Sequence, residues 1–219
     1  MSGAIYRRSR QAVVDLVGNL DEAGLATPVP ATPAWTVRDV LGHLVGGCED
    51  HVSGSDEGAP GDAWTAAHVA RLAPLPVHEV LDRWEAVGPT MEAWIDGDDR
   101  RWTFSVHDCW VHEHDLRAAL EVPRRDDEAA ARYSASAVWA VRNRCREAGL
   151  PVPAFVVDDE VVLAGDGPTI RFGDLHDVGR VLFGRRSERQ VRALDWSEDP
   201  GPWLPLLSFF PYPTEDLAG

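Results

Sequence analysis

Lysine is absent from this 219-residue chain: all 21 basic residues are arginine. That excludes a Schiff-base lysine, a pyridoxal-phosphate anchor and a P-loop lysine beneath a nucleotide phosphate. The many Ala, Gly and Arg residues also fit a GC-rich coding bias, and both readings hold together. Positive charge is scarce overall, with a formal net charge of −15. Nucleic acid is disfavoured, because a basic face must displace counterions from phosphates, and so are anionic membrane surfaces. Cysteine is scarce too. Cys48, Cys109 and Cys145 are odd in number, widely spaced and form no CxxC pair, so neither a zinc ribbon nor a disulfide framework is indicated. No apolar run approaches the ~18 residues of a membrane span. The start, Met1-Ser2-Gly3-Ala4-Ile5-Tyr6-Arg7-Arg8, passes into polar residues without an apolar signal region. A cytoplasmic protein of a reduced compartment is expected.

What is present is ordinary globular material, 44% hydrophobic and 26% charged, enough for one large domain or two small ones. The first ~150 residues read as helices and the last ~70 as mixed, an α+β chain. The spacing predicts a first helix over 2–23, ended by a proline-rich stretch at 27–33. A second helix opens at Thr36, with Asp39 three residues on as a capping-box partner and Trp35 placed to pack on Val40 as a staple. A loop rich in Gly, Ser, Asp and Pro is expected over 53–76. A third helix follows from Val77, kinked or broken at Gly88-Pro89. A fourth is expected over 103–121 and a fifth over 127–148. After Pro151 the period changes: 154–157 and 161–163 read as a hairpin, 169–172 as a third strand and 175–183 as a helix. A step at 184–187 and a further segment to Leu194 follow, and the tail, with Pro202, Pro205, Pro211 and Pro213, reads as irregular.

The strongest polar pattern lies on the fourth helix, in His107-Asp108-Cys109-Trp110-Val111-His112-Glu113-His114-Asp115-Leu116-Arg117. At about 100° per residue, Asp108, His112, Asp115 and Ala119 form one stripe roughly 60° wide. Side chains at i and i+4 can grip one ion, but a solvated acidic face has the same spacing. Glu113 and His114 point away from the stripe and read as structural or surface residues. On the second helix His43 lies about 135° from the centre of the apolar stripe, where a lone histidine is most simply exposed. Gly46 and Gly47, each costing a helix about 1 kcal/mol relative to alanine, suggest room kept for something close to it. The chain has no G-x-S-x-G elbow, G-x-G-x-x-G turn or H-E-x-x-H motif.

Three segments in order resemble one family. Trp35-Thr36-Val37-Arg38-Asp39-Val40-Leu41-Gly42-His43-Leu44 is similar to the W-T-V-x-D-(V/L)-x-x-H-L segment of the mycothiol-dependent maleylpyruvate isomerases, within the DinB-like metalloenzyme superfamily. Asp108 through Arg117 resembles that family's second signature, an acid four residues before a histidine, then x-x-D-(L/I)-R. Phe183-Gly184-Arg185-Arg186-Ser187 resembles the G-R-R-S step of its C-terminal domain.

The resemblance implies a DinB-like four-helix metal-binding bundle at residues 1–124 and a smaller α+β C-terminal domain at 125–219, with the helix near 127–148 assignable to either. It implies His43, Asp108 and His112 as ligands of one divalent ion, zinc for preference, with aspartate where the characterised isomerases carry glutamate. Asp115 would orient a ligand. Three protein ligands leave open positions, and a zinc-bound thiol loses its proton. In the family that thiol is mycothiol, whose thiolate adds to an activated double bond or displaces a leaving group, giving an isomerase or a thiol transferase. Arg185 and Arg186 would bind a carboxylate-bearing small substrate or an anionic cofactor group, with Gln190 beside them, although the same arginines read equally as a surface pair. Two other functions rest on the same residues. One is a metal-hydroxide hydrolase with Asp115 or Glu113 as base. The other is a metal- or ligand-binding module without turnover. Oligomeric state is not legible.

Overall fold

The computed structural model describes residues 2–218, the side chains of Asp99 and Arg101 excepted. The chain divides into two compact units, Met1–Arg125 and Asp126–Ala218.

The first unit is built on four long helices, α1 (Ser2–Val17), α3 (Val37–Ser53), α5 (Val77–Gly97) and α6 (Asp99–Ala119), with short α2 (Glu22–Leu25) and α4 (Asp62–Leu72) between them. Helix α1 packs on α5 and α6, and α3 packs on α4, α5 and α6. Val13, Val40, Trp84, Met91, Ile95 and Val106 are fully buried between them. Each such side chain taken from water stabilises the fold by about 1.5–3 kcal/mol. Through this apolar core runs one ionic strut. Arg10, itself buried, bonds Glu92 Oε1 through Nη2 at 3.0 Å and Glu85 Oε2 through Nη1 at 2.6 Å.

Gly88 belongs to that strut. A Cβ there would stand 2.7 Å from Arg10 Nε, so only glycine lets the guanidinium pass. Helix α5 runs on through Gly88-Pro89, so of the kink or break expected there the break is absent. The loop expected over 53–76 contains α4 at 62–72. The single helix expected over 127–148 is replaced by two, α7 (Glu128–Ala135) and α8 (Val138–Glu147). At that junction Ser136 Oγ bonds the Tyr133 carbonyl at 2.5 Å, the kind of local side-chain bond that competes with the helix ladder.

In the second unit, β1 (Ala154–Val157), β2 (Glu160–Leu163), β3 (Thr169–Phe172) and β4 (Asp195–Trp196) form one sheet in the order β2-β1-β3-β4. The β1–β2 and β3–β4 pairs are antiparallel, while β1–β3 is parallel. Asp158 and Asp159 both take positive φ, 45° and 65°, giving the two-residue turn whose twist suits a hairpin. Helix α9 (Leu175–Leu182) packs on α7, and α10 (Glu188–Arg192) and α11 (Leu204–Leu207) complete the unit. The tail expected to be irregular therefore carries β4 and α11. The fold is α+β. Among the described residues no helix is long and apolar enough to cross a membrane.

Candidate metal centre

The site is phased by the start of α3. Thr36 Oγ1 accepts from Asp39 N at 3.3 Å while Asp39 Oδ2 accepts from Thr36 N at 2.8 Å, the reciprocal capping box expected from the sequence. Once the helix starts there, Val37, Val40, Leu41, Leu44, Val45 and Cys48 enter the core, and His43 is carried to the α6 side. His43 is buried rather than exposed, with 7% of its surface accessible. The loop before the cap is tied down as well, by Val29 N to Trp35 O at 2.9 Å and Val37 N to Thr27 O at 3.0 Å. Trp35 thus lies against the rings of His43 and His112, at centroid distances of 5.2 and 5.9 Å.

Helix α6 is buried on every side from Cys109 to Leu116. That excludes a solvated face and makes every polar residue in the stretch require a partner. Glu113, fully buried, accepts from Arg117 Nε at 3.0 Å and from Arg125 Nη2 at 2.7 Å. It is a structural residue, not a surface one. His114 is buried against Trp110, ring centroids 4.8 Å apart.

On the α3 side, Asp108 is shared between two imidazoles. His43 Nε2 stands 3.1 Å from Asp108 Oδ2 and His112 Nε2 3.6 Å from Asp108 Oδ1. One donor atom from each of these three residues lies within 4.8 Å of the others. Behind His112, its Nδ1 is 3.1 Å from Asp115 Oδ2, a close polar contact without the angle of a hydrogen bond. Two imidazoles and one carboxylate match the donor types of catalytic zinc and non-haem iron sites, which keep positions open.

A cavity of about 380 Å³ opens on His43 and Asp108, within the range of small-molecule sites. His51, Asp56, Trp64, Trp102 and Phe104 line it farther out, and Tyr6, Met91, Cys48 and Cys109 line it within the helical core. His51 Nδ1 is 3.3 Å from Asp56 Oδ2, and its ring lies between Trp64 and Trp102 at 5.4 and 5.2 Å. Burial raises the Tyr6 hydroxyl and both thiols above their ordinary values, Cys48 to about 11. All three are therefore protonated near neutrality.

The residue hidden from the sequence is His68, on the unexpected helix α4. It is fully buried, stacks on His43 at 5.9 Å, and its Nε2 lies 3.0 Å from Asp50 Oδ2. Burial lowers its basicity, with Asp50 opposing. Arg71 completes the group, donating to Asp50 Oδ1 at 2.8 Å. Gly46 was the available signal: a Cβ there would lie 2.6 Å from that of His68. The room kept beside His43 is filled by a second histidine.

Arg185, Arg186 and Gln190 lie in the second unit. Arg185 is buried and donates to the Phe183 carbonyl at 2.8 Å, and Arg186 pairs with Asp177 at 2.5 Å. Gln190 Oε1 accepts from Ser187 N at 2.9 Å and Leu217 N at 3.2 Å, while its amide donates to Leu217 O at 2.9 Å. Ser187 and Gln190 together form the capping box of α10.

The chain matches the sequence profile of the mycothiol maleylpyruvate isomerase N-terminal domain over residues 6–117, half of its length. No curated protein matches it. Among solved structures it resembles a mycothiol-dependent maleylpyruvate isomerase, at a TM-score of 0.56 and 14% identity over 90% of this chain and 92% of that one. A histidine-to-alanine mutant of such an isomerase gives the same TM-score of 0.56 at 13% identity and the same coverage, 90% and 92%. At such low identity these two structures speak to the fold alone. The profile match carries the assignment: this chain belongs to the mycothiol maleylpyruvate isomerase N-terminal domain family.

Proposed function

We propose that the chain is a metal-dependent, mycothiol-using cytoplasmic enzyme that isomerises a small unsaturated substrate or transfers a thiol to it. The observation that carries this reading is the convergence of His43, Asp108 and His112, of which His43 and Asp108 line a substrate-sized cavity. Family membership supports it, as does the mycothiol dependence of the isomerase whose fold the chain shares.

In this reading His43, Asp108 and His112 hold one divalent ion, zinc being the best match to the donors. Such an ion lowers the pKa of a thiol bound to it and so supplies a nucleophile at neutral pH. The chain's own residues provide the rest. Asp115, beside His112 Nδ1, fixes the ring so that Nε2 faces Asp108. Trp35 shields both imidazoles from water on one side. Cys48 and Cys109, held as thiols, do not compete with the cofactor for an electrophile. Arg185 bonds the Phe183 carbonyl, Arg186 bonds Asp177 and Gln190 bonds Ser187 and Leu217, contacts that hold the 183–190 segment in shape. A hydrolytic reading has no comparable support: Glu113 is bound by two arginines, and Asp115 is fully buried behind His112.

Calorimetric titration of mycothiol into the zinc-loaded protein tests the thiol assignment. Saturable binding is expected, lost in His43→Ala and His112→Ala. No binding at millimolar thiol would sink it.

A further inference from the structure

Helix α4 turns two fully buried side chains inward, Leu72 and His68. A second leucine would pack there without needing partners, whereas a buried imidazole has to be supplied with them. The chain supplies them in series. Asp50 Oδ2 lies 3.0 Å from His68 Nε2, and Arg71 donates to Asp50 Oδ1 at 2.8 Å and to the Gly46 carbonyl at 3.3 Å. Trp64 stands edge-on to the His68 ring, with centroids 4.1 Å apart. Helix α3 makes room by carrying no side chain at two positions. A Cβ on Gly46 would lie 2.6 Å from His68 Cβ, and one on Gly47 would lie 3.4 Å from Trp64. The ring fixed in this way is stacked on His43, with centroids 5.9 Å apart and planes inclined by 26°.

The two ligand histidines are supported differently. Behind His112 stands the Asp115 carboxylate, 3.1 Å from Nδ1. His43 Nδ1 is buried and makes no hydrogen bond among the described residues, so packing against the ring sets its orientation. Trp35 lies there at a tilt of 43° and is shared with His112, whereas His68 lies more nearly parallel. His68 is not among the residues whose donor atoms converge, so it bears on the ligand and not on the ion. From this we infer that His68 is a positioning residue: braced by Asp50 and Arg71, its ring holds the His43 imidazole so that Nε2 faces Asp108. The inference deepens the proposed function and rests on its metal reading. A ligand ring free to turn spends part of its time away from the ion. Loss of the brace therefore weakens metal binding as loss of a hydrogen-bonded partner does, by about 10- to 100-fold.

The test uses the full chain and reads two quantities on folded protein. Zinc affinity is measured by chelator competition, and ligand geometry by the visible bands of the cobalt-loaded protein. His68→Gln keeps an amide for Asp50 but removes the ring; it is expected to weaken zinc at least tenfold and to shift the cobalt bands. Asp50→Ala keeps the ring without its brace and should weaken zinc at least threefold, and it decides alone if His68→Gln does not fold. Leu72→Ala removes the other buried side chain of α4 and should leave zinc within twofold and the bands in place. Zinc affinity in His68→Gln or Asp50→Ala within twofold of wild type overturns the inference and leaves the metal reading standing. So do unshifted cobalt bands in His68→Gln, or a Leu72→Ala variant that changes both readings as much. A wild-type protein that binds neither zinc nor cobalt overturns both.

Discussion

Asp108 is the residue on which the candidate centre turns, since both imidazoles face its carboxylate, at 3.1 and 3.6 Å. If it is a ligand, its charge and reach both matter. Asp108→Glu installs the glutamate that the family resemblance implies for this position and should retain one equivalent of zinc. Asp108→Ala removes a ligand rather than its support and should weaken zinc binding by more than the about 10- to 100-fold usual for disturbing a ligand's partner. Competition with a chromogenic chelator measures both, and equal affinity in wild type and alanine variant would remove Asp108 from the centre. Glu113, on the same helix but pointing away from the stripe of Asp108, His112 and Asp115, differs. Its carboxylate ties Arg117 and Arg125 to the bundle, so Glu113→Ala should cost about 1–3 kcal/mol of stability and leave zinc affinity unchanged. Chemical denaturation and the same chelator assay separate the two effects.

At the scale of elements, the capping box at Thr36 and Asp39 is legible because it is local, and so is the start of α3. Helix α4 is not legible, for a physical reason. Among its residues only His68 and Leu72 are fully buried, so its inner face is half histidine and the hydrophobic period never develops. The single clue is on another helix, in Gly46. Gly46→Ala places a methyl group against the His68 side chain, 2.6–3.0 Å from its Cβ, Cγ and Cδ2. It should destabilise the protein by about 1–3 kcal/mol through overpacking, despite alanine's better helix propensity. A thermal midpoint equal to or above that of wild type would show that α4 does not pack there. The burial of α6 on all sides from Cys109 to Leu116 is equally hidden. Its polar stripe has the composition of a solvated face, and only the tertiary partners of Glu113, His114 and Asp115 make it an interior one.

For the whole molecule, the sequence carries the α+β division and the hairpin, since the switch of period after Pro151 and the Asp158-Asp159 turn are read directly from residue types. The cavity is not readable in this way, because its walls come from α1, α3, α4, α5, α6 and the loop before α4. Its buried thiols give the molecule an alkaline weakness. An unfolded Cys48 loses its proton near pH 8.5–9, whereas burial keeps the folded thiol protonated until about 11. The folded pKa is the higher one, so this stability is complete below the unfolded value and is lost as pH rises toward 11. The loss attributable to Cys48 is about 2–3 kcal/mol. Cys48→Ala should recover a corresponding part of the drop in urea midpoint between pH 8 and pH 10.5. An unchanged drop would refute the assignment.

Elemental analysis of the purified protein decides whether His43, Asp108 and His112 hold an ion together. Close to one equivalent of a divalent metal, zinc first, is expected in the wild-type protein, and its loss in folded His43→Ala and His112→Ala variants after dialysis. Wild-type protein that retains no zinc after reconstitution, or variants that retain as much as wild type, would show that these residues hold none.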